Sequence, residues 1–192
     1  MNKLEPTIID KAIMYADIHH RGFNRKGKDI PYILHPLEVM AIISTITHDH
    51  ELIVAGALHD LIEDTDITYD DIKSEFGVRV ADIVASESQN MIEGYNDNLS
   101  WKETKLLALN NLKNASLDAK IVALGDKLSN IRAIHNDVYL HGLDIWKIFN
   151  EKNPSLHKWR YYELTKCFEG LEDTLAYKEF KYLVEDTFKD VD

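Results

Sequence analysis

Apolar residues recur at helical spacing along almost the whole chain, and this periodicity restricts the fold more than any other feature. An early stripe contains Ile8, Ala12 and Ala16, and a later one contains Ile121, Leu124 and Leu128. Residues three or four positions apart share one face of an α-helix, so these stripes predict helices. No alternation of apolar and polar residues is long enough to indicate a β-sheet. The sequence therefore predicts an all-α fold, a bundle of about ten helices.

Capping signals set the limits of several of these helices. Thr68 is a candidate N-cap, Gly77 a candidate stop, and Ser100 with Glu103 matches a capping box. The polar segment 93–100 predicts a loop. The predicted helices cover about residues 8–21, 35–43, 49–63, 68–76, 78–89, 100–113, 116–135, 144–149, 156–171 and 177–188.

Length, charge and cysteine content narrow the class of protein. The 192 residues suit one domain, and no linker, repeat or low-complexity tract divides them. A net charge of −11 disfavours nucleic acid as a partner. The single Cys167 fits a reducing compartment, and the longest apolar run, 52–58, is too short to cross a membrane. With no visible secretion signal, we expect a cytoplasmic protein that binds no membrane.

The segment 55–65 concentrates the chemistry. An apolar helix runs directly into His59, Asp60, Glu63 and Asp64. Burying bare carboxylates there costs several kcal/mol each unless a cation compensates them. His59 and Glu63 are four apart, as are Asp60 and Asp64, so each pair would share one side of a continuous helix. Taken alone, the His-Asp pair favours an exposed acidic turn that caps helices, because such dipeptides occur by chance in many chains.

Two further features favour a metal site. His35 lies between Pro31 and Pro36, and Asp126 interrupts an apolar helix. Two imidazoles and two carboxylates, from His35, His59, Asp60 and Asp126, suit a divalent Mn, Fe or Zn ion better than Ca²⁺, which takes oxygen ligands only. Four protein ligands would leave coordination positions open for water and substrate, as hydrolysis requires.

The H…HD…D pattern of these four residues resembles the HD-domain metal-dependent phosphohydrolases. Within them, the phrases at 31–37, 57–65, 76–77 and 126–132 resemble, in the same order, the hydrolase domain of the RelA/SpoT homologues, and most of all the small alarmone hydrolases. The resemblance implies a single HD-type domain over 1–192, with a metal-site core at about 8–135 and a C-terminal helical extension at about 136–192.

The family's activity is removal of the 3′-pyrophosphate from guanosine tetra- or pentaphosphate, usually with Mn²⁺. By resemblance, the metal ligands are His35, His59, Asp60 and Asp126. Glu63 and Asp64 would position and deprotonate the attacking water, Asn130 would lie near the sugar, and Arg25 and Lys26 near phosphate or base. A small-molecule nucleotide is the expected partner, and the cation with these basic residues would offset the protein's negative charge. The apolar C-terminal helices leave a homo-oligomer open.

One segment departs from the family pattern. In residues 86–91, amides stand where the family has acids, and Met91 stands where it has a lysine. The Arg-Lys pair that follows in the family corresponds to Thr104-Lys105 in this chain. These positions bear on substrate contacts, so a phosphohydrolase for another nucleotide or phosphorylated cofactor is an alternative. A second alternative is a non-catalytic nucleotide sensor or interaction module with a structural metal. The presence of Glu63 and Asp64 disfavours it, because a structural site needs no second acidic pair.

Overall fold

The computed structural model describes residues 7–88 and 91–192, and these residues form helices joined by turns and loops. The described parts contain no β-strand, only an isolated bridge between Asn24 and Pro31, so the all-α prediction is confirmed. The helices are α1 (Ile8–His19), α2 (Leu34–Ser44), α3 (His50–Leu58), α4 (Leu61–Asp64), α5 (Tyr69–Phe76), α6 (Val78–Glu87), α7 (Trp101–Lys113), α8 (Leu117–His141), a 3₁₀ helix (Gly142–Ile148), α9 (Pro154–Thr165) and α10 (Leu175–Thr187).

The predicted capping signals lie where the structure needs them. The Thr68 and Ser100 side chains accept the N–H of Asp71 and Glu103, whose carboxylates bond back, so both are capping boxes. Gly77 separates α5 from α6 with a φ of +91°, a value that favours glycine. The predicted end of α6 at residue 89 lies outside the described residues.

The predicted helix over 49–63 is interrupted, and this corrects the helix-face pairing of its polar residues. α3 ends at Leu58, and His59 and Asp60 form a turn before α4 begins. The His59 ring bonds through Nδ1 to the Gly56 carbonyl at 2.9 Å, the group that the Asp60 N–H would reach in a continuous helix. The His59 ring thus takes the carbonyl that would otherwise accept the Asp60 N–H, and Asp60 becomes the N-cap of the short helix α4.

The C-terminal limits also differ from the sequence prediction. α8 continues to His141 instead of ending near 135, and His135 bonds to Asp186 of α10 at 2.8 Å. This contact supports the additional turns in a stretch with no apolar stripe of its own. α9 ends at Thr165, six residues before the predicted 171, and 142–148 is a 3₁₀ helix.

Helix α8 occupies the centre of the molecule. It packs against α2 and α10, and also against α3. Gly56 of α3 and Gly125 of α8 both face Ile43 of α2, where an added Cβ would come within 2.4 and 2.9 Å of its side chain. These glycines let the three helices that carry the predicted metal ligands approach closely. Within the described residues, no helix combines the length and apolarity that crossing a bilayer demands.

Candidate metal centre and catalytic cleft

Three helices bring His35, His59, Asp60 and Asp126 together, and we call these four residues the metal cluster. His59 Nε2 lies 2.9 Å from Asp60 Oδ2 and 3.6 Å from Asp126 Oδ1. His35 Nε2 lies 3.6 and 3.2 Å from the same two oxygens. His35, His59 and Asp126 are buried, whereas the Asp60 side chain is 23% exposed and faces the solvent side. Residues up to 91 positions apart thus present nitrogen and oxygen atoms to one point.

Both histidines point the same nitrogen into the cluster. His59 Nδ1 bonds to the Gly56 carbonyl, and His35 Nδ1 bonds to Ser129 Oγ at 2.8 Å. The Ser129 hydroxyl donates to Glu38 at 2.8 Å, so its oxygen is left to accept from His35 Nδ1–H. These bonds hold the proton on Nδ1 and leave the Nε2 lone pair available, as in histidines that bind metals.

The relay behind His35 extends to the far side of α8. Arg132 donates to Glu38 at 3.0 Å and forms a two-pronged bond with Glu179 of α10, at 2.7 Å for each prong. The Arg132 guanidinium therefore holds the Glu38 carboxylate, which in turn orients the Ser129 hydroxyl. The orientation of His35 depends on a chain of contacts through three helices.

The two aspartates are held in their ionised form. Asp60 accepts a 2.5 Å bond from the Tyr32 hydroxyl, and Asp126 accepts from Asn130 at 2.5 Å and from Lys127. Burial alone would raise the pKa of both carboxyl groups, but in the metal-free protein the charge of protonated His59 lowers the pKa of Asp60, and Lys127 and the imidazoles lower that of Asp126. A bound cation would supply this positive charge with both imidazoles neutral.

The donor set fits a divalent cation. The Nε2 atom of His59 is buried and, although it lies 2.9 Å from Asp60 Oδ2, it forms no hydrogen bond of good geometry among the described residues. Two neutral imidazole nitrogens and two carboxylates match the ligands of a first-row divalent metal. Ligand atoms of His35, His59 and Asp126 lie within 4.8 Å of one another, close enough to share one ion.

A cleft of about 200 Å³ opens over the metal cluster, and we call it the metal cleft. Glu63 lines it, whereas Asp64, the next residue of α4, is not among its lining residues. Partial burial with the nearby charges of Asp60 and Glu63 raises the pKa of Asp64 to about 6. On the opposite wall, burial and Asp126 raise the pKa of Glu87 to about 7, against the effect of Lys127.

A second pocket of about 310 Å³ adjoins the metal cleft and contains the predicted nucleotide-binding residues; we call it the basic pocket. Arg25 donates to Asn130 at 2.9 Å, and Lys26 donates to Asn150 at 2.8 Å. Lys28 also lines this pocket, but its charge is balanced by Asp137 at 2.6 Å. The two pockets share Tyr32, Asn130 and Arg160, so the basic groups lie beside the metal cluster.

Sequence reasoning missed several residues that support the site. Tyr32 and Ser129 lie three positions from His35 and Asp126, a helical spacing that could have indicated them. Glu38 has the same three-residue spacing from His35, whereas Arg160 reaches the site only through tertiary packing, so no local signal identified it. Tyr161 lines the basic pocket but is itself buried.

Residues 12–154 match the family model described as HD domain, and the chain belongs to this family. Its relatives include a guanosine-3′,5′-bis(diphosphate) 3′-pyrophosphohydrolase of Aquifex aeolicus, 30% identical over 96% of this chain and 29% of the relative. The enzymes of that name called MESH1 in Drosophila melanogaster and Danio rerio are 33% and 36% identical, over 64% and 70% of this chain. The chain spans 66% of the fly protein's length and 73% of the zebrafish protein's.

Solved structures share the fold. A metazoan orthologue of SpoT, a protein described as hydrolysing ppGpp, superposes with a TM-score of 0.73 over 98% of this chain and 97% of that one. Its sequence identity of 23% supports the fold alone. A protein from Listeria monocytogenes EGD-e is 32% identical over 81% of this chain and 99% of its own, with a TM-score of 0.69.

Proposed function

We propose that this protein hydrolyses the 3′-pyrophosphate of guanosine tetra- and pentaphosphate, with Mn²⁺ as its cofactor. The observation that carries the proposal is the convergence of the metal cluster, from three helices, at the base of a cleft that adjoins a basic pocket. Relatives in bacteria and animals bear the name of this activity. The reaction yields guanosine di- or triphosphate and inorganic pyrophosphate.

The metal cluster would hold the cation, with His35 and His59 binding through Nε2. When bound, a divalent cation supplies Lewis acidity toward water and phosphate oxygens. The chain's own contribution is orientation: the bonds from His35 to Ser129 and from His59 to Gly56 fix both rings before substrate arrives. Two imidazoles with two carboxylates favour Mn²⁺ over a cation that prefers oxygen ligands.

Glu63 is the proposed proton acceptor for the attacking water. It lines the metal cleft one turn of chain beyond Asp60, within the same wall. Asp64, whose pKa is raised to about 6, would support Glu63 by keeping negative charge beside the cleft at neutral pH. Water adds to the phosphorus linked to O3′, the bond from that phosphorus to O3′ breaks, and the sugar oxygen leaves as a hydroxyl after taking a proton.

The nucleoside would lie in the basic pocket, against Arg25 and Lys26. Asn130 connects the two halves of the site, because its amide donates to Asp126 and its carbonyl accepts from Arg25. A nucleotide held by Arg25 would therefore be fixed relative to the metal cluster. The Tyr32 ring, 5.7 Å below the Arg25 guanidinium, bonds to Asp60 and forms the wall between the pockets.

Product analysis with a nucleotide panel tests the proposal. Mn²⁺-loaded protein should convert guanosine tetraphosphate to equal amounts of GDP and pyrophosphate, and chelation of the metal should stop the reaction. The Asp126→Ala variant should lose both the metal and the activity, whereas exposed Asp17→Ala should lose neither. Cleavage of simple nucleoside monophosphates without cleavage of the 3′-pyrophosphate would refute the proposed substrate.

A further inference from the structure

Arg160 is a cation on the wall shared by the metal cleft and the basic pocket, and no sequence motif indicates it. It lies in α9 and lines both pockets. Within the described residues it forms neither a hydrogen bond nor an ion pair, and its guanidinium carbon lies 5.7 Å from the centroid of the Tyr161 ring. Half-burial removes part of the hydration of this guanidinium, which costs free energy.

The neighbours of Arg160 increase that cost, because they are also positive. Lys105 of α7 and Lys127 of α8 line the metal cleft with it. Burial together with the charges of Arg160 and Lys127 lowers the pKa of Lys105 to about 8. Lys127 is balanced by Asp126, but Arg160 has no such acid. Positively charged side chains gathered beside a cleft indicate that a bound anion offsets their charge.

The charge of the whole cleft supports the same conclusion. Its lining contains four carboxylates and three cations; these are Asp60, Glu63, Glu87 and Asp126, and Lys105, Lys127 and Arg160. The protein alone therefore leaves the cleft slightly negative, and a divalent cation at the metal cluster makes it positive. These three cations come from α7, α8 and α9 and line the same cleft as Glu63.

We infer that Arg160, supported by Lys105 and Lys127, forms an anion subsite that holds the pyrophosphate group leaving the nucleotide. This inference rests on the proposed function, because it assigns the diphosphate to the metal cleft and the nucleoside to the basic pocket. Arg160 presents a planar guanidinium that can bond two phosphate oxygens at once. The subsite favours substrates with a diphosphate over a single phosphate at the reacting position.

The two products of the proposed reaction allow a direct test by calorimetric titration. Inorganic pyrophosphate and GDP are titrated separately into wild type and Arg160→Gln at the same excess of Mn²⁺, and thermal protection by each is measured as a second readout. Arg160→Gln should weaken pyrophosphate binding by about tenfold or more, as expected for losing a charge-assisted contact, with GDP binding within twofold.

Matched variants separate a local contact from a general charge effect. Arg21→Gln removes the same charge from an exposed surface pair with Asp17 and should leave both affinities unchanged. Arg160→Lys, which keeps the charge but not the fork, should lose less than Arg160→Gln. Lys105→Gln should weaken pyrophosphate binding in the same direction, whereas Lys102→Gln, from the same helix, should not.

Failure of the subsite and failure of the proposed function give different results. Wild-type pyrophosphate affinity in Arg160→Gln, or a loss of GDP affinity alone, overturns the subsite even if guanosine tetraphosphate is hydrolysed. If guanosine tetraphosphate is not hydrolysed but pyrophosphate still binds through Arg160, the proposed function fails and the subsite stands.

Discussion

Replacing Ser129 by alanine should weaken metal binding without touching a metal ligand. Its hydroxyl links His35 Nδ1 to Glu38, at 2.8 Å on each side. Without it, His35 can place its proton on either nitrogen, and a proton on Nε2 removes the lone pair that the metal needs. Loss of such an outer contact typically lowers metal affinity by about 10- to 100-fold, or roughly 1.4–2.7 kcal/mol.

The same change should also lower the stability of the metal-free protein. Ser129 is 1% exposed, so the groups it leaves behind find little water. An unsatisfied buried hydrogen-bonding group costs about 1–3 kcal/mol. Ser88→Ala is the matched control, because Ser88 is also buried and, among the described residues, its hydroxyl bonds to the nearby Val84 carbonyl at 3.1 Å.

Calorimetric titration of Mn²⁺ into metal-free protein gives the affinity, and urea denaturation of the same samples gives the free energy of unfolding. Ser129→Ala should show both losses, and Ser88→Ala should keep wild-type Mn²⁺ affinity. Unchanged Mn²⁺ affinity in Ser129→Ala, with stability reduced, would mean that the serine only packs the core and does not orient His35.

Three other perturbations address different parts of the site. Glu63→Gln should reduce kcat by at least about 100-fold with normal Mn²⁺ binding, since it removes the proton acceptor. The surface variant Glu185→Gln should leave kcat unchanged. Near-normal turnover in Glu63→Gln would exclude Glu63 as the proton acceptor. Lys26→Gln should raise KM by about three- to tenfold and leave kcat unchanged, and a fall in kcat alone would place Lys26 in the chemical step. Glu87 keeps its proton in the folded state up to about pH 7 but loses it near pH 4.5 when the protein is unfolded. The free energy of unfolding of the metal-free protein should therefore fall by up to about 3 kcal/mol as pH rises from 4.5 to 7. Glu87→Gln should lack this component, and an identical pH profile in the variant would refute the assignment.

The residues of the metal cluster could be singled out from the sequence because they interrupt apolar helices. Asp126 sits in the middle of a stripe that is otherwise buried, and His59 with Asp60 ends another. A polar group at a core position requires a partner, and four such groups of the right chemistry indicate a shared one. The structure brings all four to one point.

The helix boundaries and the position of Arg160 depended on tertiary contacts, which a single sequence does not encode locally. The break between α3 and α4 involves the His59 side chain and the carbonyl of Gly56, a competition that helical periodicity cannot reveal. The extension of α8 is accompanied by the bond of His135 to Asp186, across 51 positions. Arg160 directly precedes buried Tyr161 in α9, and its approach to the cleft is visible only in the tertiary fold.

Anomalous diffraction from a crystal grown with Mn²⁺ tests the central claim most directly. We predict one manganese peak per chain, within bonding distance of Nε2 of His35 and His59 and of carboxylate oxygens of Asp60 and Asp126. A manganese peak elsewhere, or none at saturating Mn²⁺ with Asp126 turned away from the histidines, would contradict the account.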